Sequence, residues 1–291
     1  MEESSCFFDS LEGITASAQE TVETVYVSTE GYSMISRAEI GGRLVALKSL
    51  KPEFRADPLF GGLLRKEYEL GKGLDHPGLC RTLDFISLPK LGNCIEMEWI
   101  EGETLDSLLQ SGARLPGKKI LLELCDALDY LHHKQVIHRD LKPSNIIVTK
   151  NGHNVKIIDF GLADEDSSVI FKQPAGTMAY ASPEQKRGEI LDNRSDIYSL
   201  GIVMGQMGMC PRVAAKCVRE DREKRYSDVS EVKSAIAGRS RGKFAMAVAG
   251  VIIALSLVAY AAAPEIRSSL RKARLERVLE RLSSDIERVA Y

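Results

Sequence analysis

The stretch VIHRDLKPSN, Val136 to Asn145, sets a histidine, an arginine, an aspartate, a lysine and an asparagine behind two β-branched residues. An aspartate can take up a proton, a lysine can offset the charge of an anion, and carboxylate or carboxamide oxygens can hold a hard cation. The same composition also suits a solvated turn between two apolar runs. The segment alone leaves both readings open, so the elements around it must decide what it could be positioned to do.

The chain has 291 residues, of which 44% are hydrophobic, enough to bury a sizeable core. Its 39 basic and 41 acidic residues leave a formal net charge of -2, which gives no overall pull toward nucleic acid; no nucleic-acid partner is expected. The six cysteines are scattered without a C-x-x-C pair, and several lie in apolar stretches. That pattern predicts reduced thiols in a cytosol-like compartment, with neither disulfides nor structural zinc. The opening MEESSCFFDS carries acidic residues where an export signal needs basic ones, so export of this N-terminal part is not expected.

Residues 1–20 are polar and small without a sustained period, and are expected to be a flexible lead-in. From residue 22 to 50, TVETVYVS and GRLVALKSL cluster β-branched residues around the Gly41-Gly42 turn signal and predict a three-stranded antiparallel meander. Apolar spacing of three and four then predicts a helix from Pro58 to Leu74, ended by DHPG, with two more strands closing at NCIEMEWI. After Gly102 the pattern becomes helical: a short helix at TLDSLLQSG and a longer one at GKKILLELCDALDYLHHKQ. NIIVTKNGHNVKIIDFG interrupts it with two β-branched runs flanking an Asn-Gly turn, a hairpin directly behind the polar stretch. No period of 20 to 50 residues repeats, which excludes solenoids and propellers.

Several further motifs accompany HRDLKPSN in order: VALK with Lys48, RKEYELGKGLDHPG with Glu67, DFG from Asp159, GTMAYASPE and SDIYSLG. Together they resemble the protein kinase family, specifically the bacterial serine/threonine kinases similar to eukaryotic ones, over about residues 22 to 237. The resemblance implies an α+β, two-lobed kinase fold with a β-rich N-terminal lobe and a helical C-terminal lobe. It also implies ATP and Mg2+ as cofactors and protein substrates with serine or threonine acceptors. Phosphoryl transfer needs positioning and charge compensation more than covalent help. By resemblance, Lys48 contacts the α- and β-phosphates and Glu67 holds that lysine by an ion pair. Asp140 orients or accepts the acceptor proton, Lys142 neutralises the γ-phosphate, and Asn145 and Asp159 hold the magnesium ions. On this reading the charges crowd together because one loop serves nucleophile, phosphate and metal.

The resemblance also places Ile35, Ala46 and Ile147 around the adenine ring and Met97 behind it, with the backbone of Glu98 and Ile100 hydrogen-bonded to the base. His138 is given a packing role, touching Phe160, and Glu184 with Arg225 the family's buried structural ion pair. Lys142 two places after Asp140, with Thr177, implies serine or threonine rather than tyrosine acceptors. Arg139 before Asp140 is the arrangement of kinases switched by activation-segment phosphorylation, for which Ser167 and Ser168 are the nearest acceptors; a polar loop tip flanked by Asp164, Glu165 and Asp166 is the alternative.

Three departures stand out. STEGYSMI, Ser28 to Ile35, puts serine, glutamate and serine where the family's phosphate loop has glycines, crowding the backbone and bringing Glu30 near phosphate. The stretch from Asp196 to Arg225 is much shorter than usual, so a substrate-docking helix is expected to be missing. Gly71, one turn after Glu67, replaces an apolar residue and is expected to weaken its helix by roughly 1 kcal/mol. A pseudokinase acting as an interaction module is therefore the alternative reading, and a small-molecule kinase of related fold a third.

Beyond a basic linker at 238–243, residues 244–263 carry no charge and match the roughly 20 apolar residues of a transmembrane helix. A buried core helix is the bland alternative. Basic residues flank both ends and do not orient the segment, but the need for cytosolic ATP places residues 1–243 in the cytoplasm, giving a single-pass cell-membrane protein. In the amphipathic tail, residues 264–291, Leu275, Leu279, Leu282, Ile286 and Val289 form a short a/d seam. It could pair in a homodimer, lie on the lipid surface, or stand as an isolated frayed helix.

Overall fold

Alternating burial along Ser33–Ile40 (β2) turns Met34, Ser36 and Ala38 to one face, while Arg43–Leu50 (β3) is buried on both faces from Val45 onward. Gly41 and Gly42 join them with φ of +57° and +75°, the left-handed pair that a two-residue hairpin turn requires. With Glu23–Val27 (β1), Thr82–Leu88 (β4) and Gly92–Glu98 (β5) they form an antiparallel sheet of order β1-β2-β3-β5-β4. The computed structural model describes residues 22–28, 31–159, 178–238, 252, 256 and 274–281.

One face of the sheet packs Met34, Ala38, Val45, Leu47 and Cys94 into a small core. The other face receives Pro58–Lys72 (α1) through Leu64 and Tyr68, which meet Leu50 and Ile95. The α1 sequence buries Leu64, Glu67, Tyr68 and Gly71, a helical stripe, and Asp57 caps it by accepting from Leu59 N–H at 2.9 Å. Gly71 has a local reason: a Cβ there would lie 2.4 Å from Thr82 Oγ1, so glycine lets α1 approach β4. The expected loosening of the helix is thus set against a close helix–strand contact that any side chain would prevent.

The helical lobe is built on Gly117–His133 (α3), whose Ile120, Leu121, Leu124, Leu128 and Leu131 are fully buried. Leu105–Gln110 (α2), Arg194–Gln206 (α5), Pro211–Cys217 (α6) and Val229–Ala237 (α7) share that core. The short helix Pro183–Lys186 (α4) precedes α5. Only residues 207–210 separate α5 from α6, with Cys210 at φ +49°, so no helix intervenes there.

A second sheet, Gly102–Thr104 (β6), Ile146–Thr149 (β7) and Val155–Ile157 (β8), carries the hairpin predicted behind the polar stretch. Its connection is a wider loop than an Asn-Gly turn, with Gly152 and His153 both at positive φ. The Lys119 ammonium binds Gly152 O, His153 O and Asn154 Oδ1 at 2.6, 3.2 and 2.6 Å, and Glu123 accepts from Val155 N–H at 2.8 Å. The hairpin is therefore clamped to α3.

The chain divides into two compact units, Met1–Ala237 and Gly238–Tyr291. In the second, residues 274–281 are helical and expose Leu275, Val278 and Leu279. Among the described residues no helix is long and apolar enough to cross a membrane. The uncharged run 244–263 lies, apart from Ile252 and Ser256, outside the described residues, as do the lead-in 1–20 and most of the linker 238–243.

Candidate active site

Strand alternation aims Ala46, Lys48 and Leu50 of β3 at the α1 side, and the α1 stripe brings Glu67 to meet Lys48. Lys48 Nζ donates to Glu67 Oε1 at 2.6 Å and to Asp159 Oδ1 at 2.7 Å. Lys48 and Glu67 are both buried, whereas the Asp159 side chain is 40% exposed. Burial opposes the Lys48 charge, but Asp159 and then Glu67 more than offset it and raise its pKa. Burial pushes Glu67 up to about 7 against the pull of Lys48, and Asp159, sharing the same ammonium, adds to the rise. Asp159 holds φ +70°, a left-handed backbone that turns the chain sharply after β8.

A second cluster forms on the loop between α3 and β7. Asp140 Oδ2 accepts from Lys142 Nζ at 2.8 Å and from Asn145 Nδ2 at 3.0 Å, and Asn145 Nδ2 also reaches Asp140 O at 3.0 Å. Asp140 Oδ1 is buried and has no hydrogen-bond partner among the described residues. Burial raises the Asp140 pKa, with Lys142 acting against the rise. The Ile158 N–H donates to Asn145 O at 2.9 Å, linking this loop to the strand that delivers Asp159.

The donor set fits the hard cation the resemblance implies. Asn145 commits its amide N–H groups to Asp140, leaving its oxygen, and Asp159 supplies a half-exposed carboxylate. Magnesium is commonly held by one or two protein oxygens with phosphate oxygens completing the shell. Among the described residues there is no group of three or more His, Cys, Asp or Glu side chains that could hold a metal.

Above the two clusters lies the expected adenine site. Ile35 pairs with Lys48 across the β2–β3 ladder and Ala46 stands two residues before it, so both share the Lys48 face. Met97 pairs with Ala46 and packs toward the α1 core, while Ile147 sits on β7, half-buried. Glu98 N–H is already committed to Arg81 O at 3.0 Å, and the Glu98 carboxylate to Arg81 N–H and Lys156 Nζ at 2.9 and 2.5 Å. Its carbonyl lies 3.9 Å from the Cys80 thiol, and Ile100, two residues on, is half-buried.

The altered phosphate loop closes on itself: Gly31 N–H donates to Ser28 Oγ at 2.7 Å and Ser28 N–H to Ser33 O at 3.2 Å. Tyr32 packs on Phe60 of α1 with ring centroids 5.2 Å apart. Burial pushes the Tyr32 hydroxyl up to about 12, with Lys48 lowering it and Glu67 and Asp159 raising it, which places the ring beside the buried cluster. Glu30 lies outside the described residues, as do Phe160, Ser167, Ser168, Thr177 and the acidic residues 164–166.

Two anchors went unread in the sequence. Asp196, fully buried at the start of α5, accepts from His138 N–H, Arg139 N–H and His132 Nε2 at 2.8, 2.9 and 2.8 Å. Although burial works against ionisation, His132 and then the other partners lower its pKa. Gln185 Nε2 donates to Arg139 O at 2.8 Å. An acidic residue in a first helical turn was the only local sign of the former. The Glu184–Arg225 pair forms as the resemblance implies, at 2.6 and 2.8 Å.

A β-rich lobe over a helical lobe, with a lysine, two carboxylates and a polar catalytic-type loop converging between them, defines the two-lobed kinase class. The chain belongs to the protein kinase domain family, whose model matches residues 31–242. It is 38% identical over 181 residues to a probable serine/threonine-protein kinase of Streptomyces coelicolor, covering 57% of this chain and 26% of that protein. It is 34% identical over 224 residues to the serine/threonine-protein kinase PknB of Mycolicibacterium smegmatis, covering 69% of this chain and 36% of that protein. The chain thus spans about a quarter to a third of these curated relatives. The fold matches the Mycobacterium tuberculosis PknI kinase domain with a TM-score of 0.59 at 22% identity, over 77% of this chain and 98% of that one.

Proposed function

We propose that the chain is an ATP- and Mg2+-dependent protein kinase that phosphorylates serine or threonine hydroxyls, anchored in the cell membrane with residues 1–243 in the cytoplasm. The observation that carries this reading is the convergence of the Lys48–Glu67–Asp159 cluster and the Asp140–Lys142–Asn145 cluster on one cleft. Lys48, charged and held by Glu67, orients the α- and β-phosphates. Asp140 takes the hydroxyl proton at its unpartnered Oδ1, and its raised pKa makes it a better acceptor. Lys142, beside Asp140, offsets charge on the transferred group. Asn145 and Asp159 hold magnesium, which when bound compensates charge on the phosphate oxygens. Ile35, Ala46, Met97 and Ile147 enclose the base, read by the Glu98 carbonyl and the Ile100 backbone.

The uncharged run 244–263 supports the anchor, and within it Ser256 Oγ donates to Ile252 O at 2.8 Å, the helical back-bond by which a serine hydroxyl can be satisfied without water. The exposed Leu275, Val278 and Leu279 face supports a homodimer through the tail. A pseudokinase is the second reading, favoured by the phosphate loop whose Gly31 N–H is spent on Ser28. Full-length protein in detergent, given radiolabelled ATP, magnesium and a generic protein substrate, discriminates the two. Phosphoserine or phosphothreonine formation well above an Asp140→Asn control is the expected result; parity with that control leaves the interaction module.

A further inference from the structure

None of the roles above uses Gln185, yet it is buried to 6% exposure on α4 and reaches across 46 residues of sequence to the backbone of the catalytic-type loop. Its Nε2 donates to Arg139 O at 2.8 Å. The Arg139 carbonyl and the Asp140 N–H belong to one peptide plane. Asp140 N–H donates to His138 Nδ1 at 3.3 Å, so that plane is gripped on its two edges by different elements. Arg139 itself sits at φ +65°, a left-handed backbone that a non-glycine residue keeps only when its surroundings enforce it. Asp196 fixes the two N–H groups before the plane, and Gln185 binds the carbonyl within it.

Gln185 is itself held rigidly. Its N–H donates to Ser182 Oγ at 3.3 Å, and its neighbour Glu184 is locked by Arg225 and by Ser195 Oγ at 2.9 Å. Its Oε1 is buried with no hydrogen-bond partner among the described residues. A half-satisfied buried amide is a poor choice for stability alone, and flipping it would set an oxygen against the Arg139 carbonyl. What the amide contributes to the loop is its donor end, at Arg139 O.

We infer that Gln185 is a positioning residue for Asp140, orienting the Arg139–Asp140 peptide and thereby tying the carboxylate to α4. The inference rests on the kinase reading of the cleft. Gln185→Met removes the donor at similar volume. Gln185→Glu keeps the shape and donates only when its buried carboxyl is protonated.

The experiment uses full-length protein as wild type, Gln185→Met, Gln185→Glu and Asp140→Asn, with two readouts. Amide hydrogen exchange over residues 138–145 is measured without nucleotide, and steady-state kinetics with a generic protein substrate. Gln185→Met is expected to exchange about tenfold faster at Arg139 and Asp140, and to lower kcat about tenfold with KM for ATP within about twofold. Gln185→Glu is expected to recover kcat and exchange protection as pH falls, a profile a merely structural side chain would not give. Unchanged exchange in both variants overturns the inference, as does a kcat loss without any pH-dependent recovery. If Gln185→Met does not fold, Gln185→Glu at low and high pH decides alone. Wild-type activity no higher than Asp140→Asn would remove the kinase reading, while exchange still decides whether Gln185 orients the loop.

Discussion

Glu184 and Arg225 are 1% and 0% exposed, so neither charge could be retained without the other. Burial acts to raise the Glu184 pKa, but the bidentate Arg225, the backbone and Ser195 hold it down to about 2. A carboxyl depressed in the folded state contributes stability above its unfolded pKa, about 4.5, and loses it as pH falls through about 2. Urea denaturation should therefore show a loss on the order of 2 kcal/mol across that window, and Arg225→Met should abolish this part of the acid dependence. The same substitution leaves a buried unpaired carboxylate and should cost about 3–5 kcal/mol at neutral pH. Lys48→Met should lower turnover by about a hundredfold or more in the phosphorylation assay, with the circular-dichroism spectrum unchanged. That Lys48 meets Glu67 and Asp159, and Asp140 meets Lys142 and Asn145, could be expected from the sequence because the chemistry proposed for them demands particular residue types at particular spacings. Gln185 and the carboxylate of Asp196 were not legible, because they bind backbone atoms 46 to 58 positions away, and a peptide group leaves no mark on the sequence it is bound from.

At the scale of elements, the glycine in α1 separates propensity from packing. Glycine to alanine inside a helix ordinarily stabilises by roughly 1 kcal/mol, and the sequence alone predicts a weak helix there. A Cβ at Gly71, however, would meet Thr82 Oγ1 at 2.4 Å and Thr82 Cβ at 3.3 Å. Gly71→Ala should thus destabilise by about 1–2 kcal/mol net, push α1 from β4 and reduce kcat by drawing Glu67 from Lys48. Adding Thr82→Ala opens the space, so the double variant should melt at or above the wild-type temperature with kcat restored. A single variant as stable and active as wild type would show that α1 does not depend on this approach. The strands, the two long helices and the hairpin were readable because periodicity reports which face is buried. The width of the β7–β8 loop was not, because its shape depends on Lys119, an α3 side chain that no local turn pattern includes.

For the whole molecule, order of motifs and a shift from strand-like to helix-like patterning made the two lobes legible, and the second compact unit begins at Gly238, six residues before the uncharged run. On the proposed reading, in which residues 244–263 anchor the chain and the tail pairs, the consequence for the kinase unit follows from concentration. Two chains in one membrane, with the exposed Leu275, Val278 and Leu279 of each tail together, would meet at an effective concentration near the millimolar range. We propose that one catalytic cleft then phosphorylates the partner's Ser167 or Ser168 and that Arg139, one residue before Asp140, pairs with the new phosphate. The full-length protein in vesicles should carry activation-segment phosphate independent of its bulk concentration. A variant ending at Lys243 should need a concentration on the order of a hundredfold higher to reach the same level. Mass spectrometry of the peptide spanning residues 161–172 across a dilution series measures this directly, with Asp140→Asn mixed in as a substrate to show transfer between chains. Replacing Leu275 and Leu279 by serine in the full-length protein separates the two sources of proximity. A dilution curve that moves toward that of the truncated form assigns the effect to the tail, and one that stays put assigns it to the membrane segment. Equal phosphate and equal concentration dependence in full-length and truncated protein would leave residues 244–291 as an anchor without a part in activation.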